Sequence, residues 1–301
     1  MGKIYAFVNQ KGGVGKTTTA VNLGAYLAWQ GRRVLLIDLD PQGNASASLG
    51  VDRHALPLSM YDVLLGDQRL DEIHLPAALE NLMLAPSAPT LAGSEVELTD
   101  APEREFILRR ALTDPPAVRD QFDHILIDCP PSLGILTVNA LTAADFVVVP
   151  VQCEYLALEG LALLTQTIDL VRENLNPDLQ LFGLVMTMHD SRARLASQVI
   201  EQVRSHFPNE VFDTYIPRNV RVAEAPSFGE PLVKFDIHSR GAQAYESLTN
   251  EFLLREAIRV TGSTFDVLLP STKNLLAAPE TSSSSIGYLP STISDSRSQM
   301  S

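Results

Sequence analysis

The sequence predicts a single doubly wound, mostly parallel α/β sheet with helices on both faces, followed by a tail that has no core of its own. Three observations lead there. Short apolar runs alternate with helix-like segments through most of the chain, which is the signature of successive strand–helix units. Several runs are unbroken Val/Ile/Leu stretches, as parallel strands covered on both faces require. From Gly262 onward the composition turns to Ser, Thr and Pro with few aromatics, including the run Ser282–Ser285.

Taken in order, Ile4–Val8 reads as the first strand and Thr17–Gln30 as the helix after it, ended by Gly31 at its C′ position. Arg33–Ile37, Leu82–Ala85, His124–Ile127 and Phe146–Val149 read as further strands. Leu158–Asn174 is amphipathic with helical period, and Pro177 follows it. Leu181–Met186 then reads as a strand, Ala193–His206 as a helix and Val211–Tyr215 as a last strand. A helix over about Gly241–Arg259 closes the domain, and no internal repeat is visible. Residues 1–260 therefore form one domain. Residues 261–301 are expected to be a mostly disordered tail, because they bury too little apolar surface to offset the entropy of ordering. Within the tail, Phe265–Leu269 is apolar enough to dock, but it is not the basic amphipathic helix of a membrane anchor.

With 23 basic against 36 acidic residues, the net charge is −13. That excludes a protein coated in positive charge; any nucleic-acid surface must be small, or be assembled from more than one subunit. The two cysteines, Cys129 and Cys153, belong to no CxxC or Cys/His cluster and read as reduced, buried thiols. The first residues run straight into a strand without a secretory signal, and no apolar stretch of about 18 residues follows. A cytoplasmic protein is expected.

The chemistry starts at NQKGGVGKTTT, Asn9–Thr19, placed directly after a strand and before a helix. Gly12, Gly13 and Gly15 let the backbone approach phosphates, and the N–H groups from Gly12 through Val14 to Thr18 form an anion nest at the positive end of a helix. Lys16 reaches the β- and γ-phosphates, Thr17 supplies a hydroxyl to Mg²⁺, and Thr18 adds a donor near the α- or β-phosphate. ATP and Mg²⁺ are the implied ligands. Gln10 stands where the general phosphate-loop pattern has its first glycine, and Lys11 follows it. A second lysine has no role in a simple monomeric cradle. The run Lys11-Gly12-Gly13-Val14-Gly15-Lys16-Thr17 resembles the deviant Walker A box shared by the ParA, MinD and nitrogenase-iron-protein ATPases. That resemblance implies that residues 1–260 are a P-loop-type ATPase domain. It also implies that Lys11 reaches across a homodimer to the partner's nucleotide and assists catalysis together with Lys16.

Two acidic strand ends complete the pattern. Ile37-Asp38-Leu39-Asp40-Pro41-Gln42-Gly43-Asn44 puts two carboxylates at the carboxyl end of a parallel strand, where α/β proteins bind ligands. Asp40 resembles the family's catalytic aspartate, which holds the attacking water, and is counted with Thr17 and Asp128 among the Mg²⁺ residues; Asp38 reads as a support for the magnesium shell. Ile125-Leu126-Ile127-Asp128 resembles a Walker B element, with Asp128 acting on Mg²⁺ through water. Pro130 and Pro131 stiffen the segment after it.

The resemblance extends over about residues 3–256. Pro150-Val151-Gln152-Cys153-Glu154-Tyr155 with Leu158-Glu159-Gly160, and Ile216-Pro217-Arg218-Asn219-Val220-Arg221 continuing into Glu224–Gly229, look like the ParA/Soj chromosome-partitioning branch. It implies that Pro217, Arg218 and Asn219 line the adenine pocket. It further implies an ATP-dependent dimer that binds non-specific DNA, associates with the nucleoid and releases DNA on hydrolysis, with slow turnover that a ParB/Spo0J-type centromere-binding protein stimulates. Arg192 and Arg218 fall on positions the family uses for DNA, and Arg221 is their neighbour in sequence. The alternative is a MinD-like membrane-surface ATPase that positions division. The lack of a basic apolar helix after residue 260 disfavours it, so no membrane partner is expected.

Overall fold

The computed structural model describes residues 1–66, 68–154 and 157–260. Among these, seven strands form one sheet: β1 (Lys3–Phe7), β2 (Val34–Asp38), β3 (Leu75–Pro76), β4 (Leu82–Ala85), β5 (His124–Asp128), β6 (Phe146–Gln152) and β7 (Gln180–Thr187). Their order across the sheet is β3-β4-β2-β5-β1-β6-β7. All neighbours pair in parallel except β3, a two-residue edge strand antiparallel to β4. The helices of nine or more residues are α1 (Lys16–Trp29), α2 (Ile135–Ala143), α3 (Ala157–Asn174), α4 (Arg194–His206) and α5 (Arg240–Val260).

Alternation along the central strands divides the core into two layers. From β1, Ile4 and Ala6 face one layer together with Leu136 of α2, Leu164 of α3 and Val203 of α4. Tyr5 and Phe7 face the other, against Leu23 and Leu27 of α1 and Leu248 and Phe252 of α5. Helices thus cover both faces, which explains why β2 and β5 are buried at every position.

The parallel register brings three strand ends level: Phe7 pairs with Asp128, and Asp38 also pairs with Asp128. The loop from β1 to α1 and the two acidic ends therefore meet at one edge of the sheet.

The last expected strand is corrected. Val211–Tyr215 forms no continuous strand; Val211 bridges Leu184 and, further on, Pro217 bridges His189. The interruption has a local cause. The N–H groups of Asp213 and Thr214 donate to the Glu251 carboxylate of α5, at 2.8 and 2.9 Å, rather than to β7. Residues 210–218 still follow β7, through Phe212 N to Leu184 O and Ile216 N to Met186 O, both 2.9 Å. The tail expectation for 261–301, including Phe265–Leu269, and the motif residue Tyr155 lie outside the described residues.

Candidate nucleotide site

The glycine loop is shaped by both its own backbone and its neighbours. Gly13 and Gly15 have φ of 74° and 89°, values that side chains with a Cβ rarely adopt. Thr187, at the end of β7, donates its hydroxyl to Val14 O at 2.7 Å and lies 3.7 Å from where a Cβ on Gly15 would sit. Asn9 ties the loop to β6, with its amide donating to Pro150 O at 2.8 Å and its carbonyl accepting from Lys11 N at 3.0 Å. The cradle is held from two strands before any phosphate arrives.

The two lysines diverge. Lys16 folds back over the loop, is 6% exposed and donates to Lys11 O at 3.4 Å. Burial lowers its pKa, while Asp128 and Asp40 pull it upward. Lys11 turns outward, with a side chain 42% exposed and its ammonium 2.6 Å from Glu154.

Three aspartates stand at the strand ends in different states. Asp128 is fully buried, and neither of its carboxylate oxygens has a hydrogen-bond partner among the described residues. Burial raises its pKa well above the usual carboxylate range and Asp38 adds to the effect; the Thr17 hydroxyl and the Lys16 ammonium nearby act against it. Such an orphaned buried carboxylate, beside a threonine hydroxyl and a lysine, suits the water shell of a divalent cation. No three His, Cys, Asp or Glu side chains converge into an all-protein metal cage among the described residues. That fits magnesium, which keeps several waters and shares its coordination with phosphate.

Asp38 has a role that sequence reading did not assign. One of its oxygens accepts from both the backbone N–H and the hydroxyl of Ser46, at 2.8 and 2.7 Å, and the other from Asp40 N at 3.3 Å. Burial lifts its pKa to about 6 against these bonds. Its visible job is to brace the loop that carries Asp40. Asp40 itself is nearly buried, and among the described residues its carboxylate accepts only from Gln42 N, at 2.9 Å, which leaves capacity for a water.

Beside the loop lies a cavity of about 260 Å³. Pro217, Arg218 and Asn219 line it, together with Gly15 and Thr18 of the loop side. Asn219 also accepts from Arg221 N at 2.8 Å and so caps the helix Val220–Glu224. Further lining residues escaped sequence reading, among them Thr187, Met188 and Tyr245. Met188 has φ of 52°, unusual for a side chain of its size. Tyr245 reaches from α5 to within 3.3 Å of the Thr19 hydroxyl. The signal for Thr187 and Met188 was available, because they follow a parallel strand at its ligand-binding end; nothing local marked Tyr245.

The three arginines share a neighbourhood, since Arg218 N donates to His189 O at 3.1 Å. Arg192 is 89% exposed and chelates Asp190 at 3.1 and 3.2 Å. Arg221 is held by Glu224 at 3.0 Å and Asp236 at 3.3 Å. No ion pair to Arg218 is found among the described residues.

Comparison with known proteins agrees with this geometry. The AAA domain family matches residues 2–181. The chromosome partitioning protein ParA of Myxococcus xanthus is 52% identical over 256 residues, covering 85% of this chain and 89% of that protein. The sporulation initiation inhibitor protein Soj of Bacillus subtilis is 53% identical over 251 residues, covering 83% and 98%. Among solved structures, a cobyrinic acid a,c-diamide synthase of Mycobacterium smegmatis with bound ADP and magnesium superimposes with a TM-score of 0.74 at 42% identity, over 85% of this chain and 96% of that one. A plasmid partition protein of Borrelia burgdorferi bound to AMPPNP gives 0.71 at 26% identity, over 85% and 100%. With half its residues shared with ParA and Soj over five-sixths of its length, the chain belongs to the ParA/Soj family of chromosome-partitioning ATPases.

Proposed function

We propose that this partitioning ATPase is an ATP-gated switch that dimerises on ATP, binds non-specific DNA as a dimer and lets go after hydrolysis. The observation that carries the reading is the divergence of the two loop lysines. Lys16 is buried over the loop, whereas Lys11 is turned outward; that supports a reading in which Lys16 serves its own protomer's nucleotide and Lys11 a second protomer's.

In the resting complex the N–H groups of Gly12–Thr18 and the Lys16 ammonium hold the β- and γ-phosphates of ATP. Thr17 and Asp128 are the residues that would hold Mg²⁺, which when bound offsets charge on the phosphate oxygens. Asp40 orients a water for attack at the γ-phosphorus, the bond to the β–γ bridging oxygen breaks, and ADP and phosphate leave. The base lies between Pro217 and Tyr245. Arg218 lines that same cavity and makes no ion pair among the described residues, so nucleotide state and DNA grip can meet in one side chain. Arg192 and Arg221 add weaker phosphate contacts, because each must first leave a carboxylate. Two-fold symmetry doubles this modest patch, which reconciles DNA binding with a net charge of −13. A ParB/Spo0J-type partner completes the slow site, and the protein is cytoplasmic and nucleoid-associated.

The name of the Mycobacterium smegmatis relative raises amide synthesis as a second reading. Drawing ammonia from glutamine takes a reactive thiolate. Both cysteines are buried; burial raises the Cys129 thiol well above its usual range and the Cys153 thiol to about 11. That argues against it.

The deciding experiment is DNA binding with ATP, ADP and no nucleotide at two salt concentrations, for wild type, Lys16→Ala and Arg218→Glu. Salt-sensitive binding with ATP alone, lost in both variants, is the expected result. Wild type that ignores DNA but binds anionic vesicles with ATP would hand the reading to a membrane-surface ATPase. Gly12→Val is aimed at the dimer step: a Cβ at Gly12 meets only Pro131 Cβ, at 4.0 Å, among the described residues, so the first carbon of the new side chain has room in the protomer. ATP binding should persist while sedimentation shows a monomer.

A further inference from the structure

The lysine expected to reach across the dimer is already engaged within its own protomer. Lys11 Nζ lies 2.6 Å from Glu154 Oε2, and the Gln152 side-chain amide donates to the other carboxylate oxygen. Both partners are positioned rather than loosely placed. Asn9 holds the Lys11 backbone with its carbonyl and the end of β6, at Pro150, with its amide. Glu154 follows β6 by two residues, and its N–H donates to Gln152 O at 2.7 Å.

We infer that Glu154 is a positioning residue that latches Lys11 in the monomer, so that dimerisation must break one Lys11–Glu154 pair in each protomer. The latch rests on the reading of Lys11 as a contact to the partner's nucleotide, and it adds a threshold to that contact. A monomer with its lysine latched has less tendency to close on a second copy. Both side chains are nearly half exposed, so the pair is weak and breakable, as a switch requires. Exposed pairs of this kind are worth roughly 1.5- to 5-fold in an equilibrium constant. Because two pairs open for every dimer formed, removing the carboxylate charge should shift dimerisation by about 2- to 30-fold.

The test is sedimentation velocity of full-length wild type and Glu154→Gln with Mg-ATP across a protein dilution series, with ATP affinity measured in parallel in the Gly12→Val background. Glu154→Gln should dimerise at several-fold lower protein concentration and should leave the ATP affinity of the dimer-blocked protomer unchanged. A dimerisation midpoint equal to wild type, or weaker than it, overturns the latch; the weaker result would mean that Glu154 helps hold the partner. A change in ATP affinity in the dimer-blocked protomer overturns it as well, because Glu154 would then act on the nucleotide of its own chain. If wild type itself stays monomeric with ATP at every concentration, the proposed dimer falls, and the latch falls with it.

Discussion

Two carboxylates, one at each end of the sheet, Asp128 fully buried and Glu256 mostly so, are treated in opposite ways. Asp128 closes β5 at the edge of the glycine loop, fully buried and with no hydrogen-bond partner on either oxygen among the described residues. Glu256 of α5 meets the other end, where its carboxylate accepts from the Tyr5 hydroxyl at 2.8 Å, contacts His124 Nε2 at 3.1 Å and pairs with Lys3 at 3.3 Å. Burial pushes its pKa up, yet these partners outweigh burial and hold it at about 2. The difference separates a carboxylate that holds the fold together from one kept waiting for something outside the chain. A protein has little reason to leave a buried charge unsatisfied unless a ligand completes it.

The sharpest way to break that contrast is to remove the cation that stands beside Asp128. Lys16→Ala should weaken ATP binding on the order of 100-fold or more, since it deletes a buried charge aimed at phosphate. Titration of a fluorescent ATP analogue checks it, and retained tight binding would dissolve the phosphate-loop assignment. Next in size is Asp40→Ala, which removes a carboxylate whose hydrogen-bond partner among the described residues is Gln42 N. Turnover should fall by about 10²- to 10⁴-fold with ATP binding kept, as expected for loss of a group that positions the nucleophile. Single-turnover phosphate release separates that outcome from a loss of affinity.

Most of the ligand-binding edge was legible in the sequence, because its signals are contiguous: a glycine loop between strand and helix, and apolar runs that end in aspartate. What stayed hidden depends on contacts between distant residues. Tyr245 enters the cavity beside the loop from the last helix, more than two hundred residues after the Thr19 it touches. Glu251 takes the N–H groups of Asp213 and Thr214, which turns an apolar run with strand character into isolated bridges. Asp38 sits two residues from Asp40 and reads in sequence only as a support for the magnesium shell. Only the fold shows one bracing Ser46 and the other free to face a water. The two-residue β3 is too short to carry any period at all.

The smallest effects give the cleanest test of the two carboxylates, because the same charge-removing change should act with opposite signs. Glu256→Gln should destabilise the nucleotide-free protein by about 2 kcal/mol, or roughly 4–8 °C in Tm, through loss of charge-assisted hydrogen bonds. The folded pKa of Glu256 lies below its ordinary 4.5, so its contribution is full above about that value and is lost as pH falls toward 2. The gap between wild type and this variant should therefore close under acid. Asp128 has the reverse sign. Its folded pKa is raised, so its ionised form costs stability once pH climbs above the usual carboxylate range. Asp128→Asn should then stabilise the nucleotide-free protein at neutral pH by about 1 kcal/mol, roughly 2–4 °C. The same variant should lose most of the further Tm rise that wild type gains from Mg-ATP, because binding to the native state alone sets that rise. Thermal unfolding of both variants with and without Mg-ATP measures all of this at once. If Asp128→Asn destabilises the nucleotide-free protein as Glu256→Gln does, Asp128 is another structural carboxylate, and the site has lost its reason for an unpaired charge.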